Sequence, residues 1–105
     1  NAQAPQQPAS PELQDKRKAF VEKLSSQGYI HKIDSGRILP QLWVTPKFVA
    51  LEFDTKKAFC SAVYAYVHAI PEGGSGDSTQ QLDLYHSKSG KKLGSFDSTL
   101  GLQLD

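Results

Sequence analysis

Methionine is absent from this 105-residue chain, and cysteine and tryptophan each occur once. A single thiol excludes an internal disulfide and leaves no cysteine pair to ligate zinc. The three histidines, His31, His68 and His86, show neither HxH nor HxxxH spacing. A metal site would have to be assembled in three dimensions with Asp34, Asp83 or Asp97, and no metal or cofactor is implied locally. Charge of one sign is also missing: 12 basic and 11 acidic residues leave a net charge of +1, which gives no electrostatic footprint for nucleic acid or an anionic membrane. No apolar run approaches the roughly 20 residues that span a bilayer.

Catalytic signatures are missing as well. No G-x-S-x-G elbow is present, and Gly74-Ser75-Gly76 lacks the strand-turn-helix frame that an elbow requires. The run Gly73 to Gly76 has no following Lys-Ser/Thr and no helix to make it a phosphate loop. Asp54, Asp83 and Asp97 are not paired by spacing, so no acid/base dyad follows.

What is present begins with a polar, proline-bearing stretch, Asn1 to Ala9 (NAQAPQQPA), whose composition reads as a flexible tail. Residues 10–105 are expected to form one domain. The Asn1 start without Met fits either a cleaved export signal or the remnant of an added N-terminal segment. The expectation is export or membrane tethering, with a periplasmic or secreted location and a cytoplasmic one as the alternative.

Ser10-Pro11-Glu12 is an N-cap, a proline at the first helical position and an acid facing the helix dipole. Leu13, Phe20, Val21 and Leu24 share one stripe, and Gly28 supplies a stop, predicting a helix over Pro11 to Gln27. Tyr29 to Asp34 and Arg37 to Val44 read as two strands joined at Ser35-Gly36, with Pro40 placing the second at a sheet edge or a bend. Thr45-Pro46 starts a short helix to Leu51. Asp54-Thr55 caps a main helix to His68, with Phe59, Val63, Tyr66 and Val67 on one stripe. Pro71 to Thr79 is a loop. Gln81 to His86 alternates as a strand, turns around Gly90, and pairs with Lys92 to Phe96; Leu100, Leu102 and Leu104 mark a terminal strand. The order α-β-β-α-β-β predicts an α+β fold, two main helices packed on a small antiparallel sheet built from hairpins.

Two features carry what chemistry the chain offers. Cys60 lies one residue after Phe59 inside the aromatic helix, with Lys56 four residues earlier. A packed thiol is the simpler reading, and a small enzyme built from Cys60 and the histidines is the rival. The aromatics Trp43, Tyr64, Tyr66 and Tyr85 are the candidate binding residues: Tyr64 and Tyr66 are two apart on a helix and cannot both face one core, while Trp43 and Tyr85 stand at element ends. The cluster Lys88, Lys91 and Lys92 is a solvated hairpin tip, with nucleic-acid contact as the weaker alternative.

The segments TPKFVALEFDTKKAFCSAVYAYV and LYHSKSGKKLGSF are similar to small bacterial proteins in which a helix precedes a terminal hairpin; that resemblance implies no site residue. The sequence therefore points to a non-catalytic binding or accessory module, with a protein partner or self-association through an edge strand.

Overall fold

The computed structural model describes residues 10–35, 39–71 and 80–104. Helix α1 (Pro11–Ser26) opens as its sequence dictates: Ser10 is extended, and its hydroxyl accepts from the Leu13 amide. Val21 and Leu24 are the buried part of its stripe, while Phe20 remains 37% exposed and meets the Phe59 ring edge-on. Gly28, at φ +86°, ends the turn in a left-handed conformation that L side chains resist.

Strand β1 (Ile30–Asp34) runs antiparallel to β2 (Gln41–Val44), with a register shift between Ile30 and Lys32. Helix α2 (Pro46–Val49) is a single turn, and α3 (Phe53–Val67) is the long crossing helix. Strands β3 (Leu82–His86), β4 (Lys92–Asp97) and β5 (Gly101–Leu104) follow as an antiparallel meander. Together the strands form one five-stranded sheet ordered β1-β2-β3-β4-β5. The arrangement is α+β and mostly antiparallel, as the hairpin pattern predicts.

One pairing differs from a sheet of hairpins alone: β3 lies parallel to β2, in register Leu42 to Leu84 and Trp43 to Tyr85. Parallel neighbours need a crossover of a dozen or more residues, and α2 with α3 supplies it. Of the two expectations for Pro40, an edge or a bend, the edge is not met: the strand β2 is interior, held by β1 on one side and β3 on the other, and the chain bends at Leu39 before it. Pro40 avoids the conflict by lying just before the strand, where its carbonyl accepts from the Asp83 amide at 3.0 Å. The expected turn at Ser35-Gly36, the start of the second strand at Arg37 and most of the Pro71 to Thr79 loop lie outside the described residues.

The helices cover one face of the sheet. Leu42, Val44, Leu82 and Leu84 are fully buried there against Phe48, Cys60, Val63 and Tyr64, with Phe96 and Leu102 extending the core across β4 and β5. Each such side chain contributes about 1.5–3 kcal/mol by leaving water. Helix α3 begins at Phe53 behind Glu52, without a side-chain cap, so Asp54 sits in the first turn rather than capping. Its most buried line is Cys60, Val63 and Tyr64; of the expected stripe Val63 is fully buried, while Phe59, Tyr66 and Val67 are only partly buried, so the inward line is rotated.

Polar contacts fasten the last turn of α3. Gln14 Nε2 donates to the Tyr66 carbonyl at 3.0 Å, and Arg17 Nη1 donates to the Ala65 carbonyl at 3.2 Å. Helix-end carbonyls have no partner further along the helix, so a cation and an amide from α1 suit them.

Candidate binding face

The opposite face of the sheet carries no helix among the described residues. Because side chains alternate along each strand, the residues out of phase with the core line this face. The strand register sets them in rows. One row reads Lys32, Trp43, Tyr85, Lys92 across β1 to β4, and the next reads Asp34, Gln41, Asp83, Ser95, Gln103 across β1 to β5.

The first row is an ordered stack. The Trp43 and Tyr85 rings lie 5.0 Å apart with an interplanar angle of 19°, across the parallel seam. The Lys32 ammonium sits 4.8 Å from the centre of the Trp43 ring, a cation–π contact of about 0.5–1 kcal/mol at an exposed position. Trp43 Nε1 donates to Gln41 Oε1 at 3.3 Å, which sets the indole's rotation.

In the second row, Asp83 is the one buried charged residue among the described residues, 6% exposed. Its Oδ1 accepts from Gln81 Nε2 at 2.8 Å and lies 3.6 Å from Lys92 Nζ. Lys92 itself is 45% exposed against 8% for the Asp83 side chain, so the positive partner faces water and the negative one does not. Such a half-exposed pair adds little stability, but it anchors the cation at the end of the aromatic row.

The four aromatics singled out from the sequence thus separate. Trp43 and Tyr85 come together on the open face. Tyr64 is not a surface residue: at 4% exposure it packs edge-on against Phe96 and His68 in the core, and its hydroxyl donates to the Gln80 carbonyl. It is buried because it follows Val63 on the inward line of α3. Tyr66 is partly buried and lines a shallow cleft with Gln14, Ile33, Ser35 and Val67, away from the ridge.

Cys60 is fully buried, and its thiol is pushed up to about 12 by burial, with Lys56 pulling slightly the other way. His31 is exposed on β1. His68 Nε2 lies 3.0 Å from the Gln81 carbonyl, and His86 Nδ1 accepts from the amides of Lys88 and Ser89, which shapes the β3–β4 turn. Among the described residues no group of three His, Cys, Asp or Glu side chains converges to hold a metal ion, and no helix is long and apolar enough to cross a membrane.

Lys32 was not singled out from the sequence, and Asp83 only as a possible metal-site or acid/base residue, not as part of a binding face. The signal existed, since both fall in the polar phase of their strands, but it acquires meaning only once β2 and β3 are known to be neighbours. No known family model, curated protein or solved structure matches the chain.

Proposed function

We propose that this is a non-catalytic binding module whose contact surface is the open face of the sheet, and that its partner is an acidic polypeptide segment. The observation that carries this reading is the Trp43–Tyr85 stack, half-buried on the side that the described helices leave bare. Tryptophan and tyrosine are the residues that anchor protein interfaces, because they bring large rigid area at small entropic cost. The accessible charge beside them is positive: Lys32 and Lys92 are exposed at the two ends of the row, while Asp83 is buried and Asp34 half-buried.

The same geometry favours polypeptide over single-stranded nucleic acid. Bases bind such modules by stacking on free ring faces. Here one face of Trp43 lies against Tyr85 and a lysine sits over the ring, so a base would first have to break that packing.

Titration with a random copolymer of glutamate and tyrosine, followed by isothermal titration calorimetry, which needs no tryptophan, tests the reading. Binding that weakens at least tenfold in a Trp43→Ala/Tyr85→Ala double variant is the expected result. No binding at low salt, undiminished binding by the double variant, or tighter binding of oligothymidylate would refute it.

A further inference from the structure

A second site lies on the other side of the molecule, between α3 and the turn that joins β4 to β5. The cleft there encloses about 380 Å³, the size range of pockets that take small organic molecules. Its floor is apolar and rigid: Tyr64, Phe96 and Ile70 are 4%, 6% and 7% exposed, and the Tyr64 and Phe96 rings meet edge-on at 5.2 Å. The Tyr64 hydroxyl is already committed to the Gln80 carbonyl, so the floor makes no polar demand on an occupant.

The rim is built differently. Lys57 and Ser61 are four residues apart on α3 and project from the same side of the helix. Lys57 makes no hydrogen bond or ion pair among the described residues, and its stem passes close to Gly101, where an added Cβ would meet Lys57 Cε at 3.6 Å. On the facing wall, Asp97 turns its carboxylate into its own turn: Oδ1 accepts from the Thr99 amide at 2.8 Å and the Leu100 amide at 2.6 Å. Two consequences follow. The ammonium of Lys57 is the charge on the cleft left without a bonded partner among the described residues, while the negative Asp97 is held by its own turn, whose amides are therefore not available to cradle a phosphate. Leu100, 63% exposed, stands at the mouth as an apolar lip.

We infer that this cleft binds a small organic monocarboxylate with an apolar body, its carboxylate on Lys57 and the Ser61 hydroxyl, its body between the Tyr64–Phe96 floor and Leu100. The site is independent of the open sheet face and uses none of its residues.

Two-dimensional ¹⁵N–¹H NMR titration with 3-phenylpropionate, 3-phenylpropionamide and phenyl phosphate tests it on the intact chain. The carboxylate is expected to shift the amides of Ser61 and of Phe96 through Gly101, and to bind about tenfold more tightly than the neutral amide. Lys57→Gln should erase that preference while leaving the amide's affinity and the rest of the spectrum unchanged; Lys57 is exposed, so the variant keeps its core. Equal affinity for carboxylate and amide, an unaltered preference in Lys57→Gln, shifts centred elsewhere, or stronger binding of phenyl phosphate would each overturn the assignment.

Discussion

Cys60 separates a binding module from a thiol enzyme, and its behaviour follows quantitatively from its surroundings. The side chain has no exposed surface, and burial pushes the thiol up to about 12 from the ordinary 9.0. At pH 8 an unperturbed thiol is about 10% thiolate, while one titrating near 12 is about 0.01%. Only the thiolate attacks iodoacetamide, so labelling of the folded protein should be about a thousandfold slower than in denaturant, before the core's closure slows it further. Because Cys60 is the sole cysteine, mass spectrometry of quenched samples reads the rate without ambiguity. The same burial links stability to pH. The unfolded thiol ionises first as pH rises, so the unfolded state binds fewer protons and unfolding becomes easier. This contribution is fully present below about pH 9 and is lost progressively between about 9 and 12; at pH 10 the loss is about 1.4 kcal/mol. Cys60→Ala, which lacks the group, should show a stability profile flatter by that amount between pH 8 and 10 in urea titrations. Labelling of the native protein within tenfold of the denatured rate at pH 7 would refute this reasoning and restore the enzyme reading.

Two substitutions test the framework that holds the open face. At Gly94 an added Cβ would fall 2.1 Å from the Gln103 carbonyl oxygen and 2.8 Å from Leu104 Cα, both backbone atoms. Gly94→Ala must therefore displace β5, lowering stability by about 1–3 kcal/mol and removing hydrogen-exchange protection from Leu102 and Leu104 first; unchanged protection would contradict the contact. Thr45 joins the first hairpin to α2, its hydroxyl donating to the Gly28 and Tyr29 carbonyls and accepting from the Phe48 amide. Thr45→Val keeps the shape and loses those bonds, so it should cost about 1–2 kcal/mol and lower Tm by about 4–15 °C. An unshifted melting curve would show the cap to be dispensable.

How much of this was legible depends on the range of the interaction. Ser10, Gly28, Thr45-Pro46 and Gly90 announce turns and caps through chemistry confined to a few residues, and the elements they bound stand where the sequence places them. Asp54 misleads because burial of Phe59 and Cys60 does not depend on where α3 begins, and the helix extends to Phe53 without a side-chain cap. Tyr64 and Tyr66 could not be sorted by periodicity, since α3 is apolar over much of its girth; only the position of Phe96 and of α1 decides which faces inward. The ridge lies furthest from reach. Trp43 and Tyr85 are brought together by a parallel pairing across 41 intervening residues, and neither hairpin encodes it.

That same parallel seam ties the binding face to the core. Leu42 faces Leu84 on the helix side at the register that sets Trp43 beside Tyr85 on the open side. Strand side chains alternate with a period of two, so a slip of one residue would carry both leucines to water and both rings inward. Burial of the leucines therefore fixes the ridge, and the ridge needs no partner to form it. A surface held in this way loses little conformational freedom on binding, and that saving appears directly in affinity. Loosening the seam from beneath, as Leu84→Ala would by removing buried contacts without touching the open face, should then weaken binding of the glutamate–tyrosine copolymer even at temperatures where the protein remains folded.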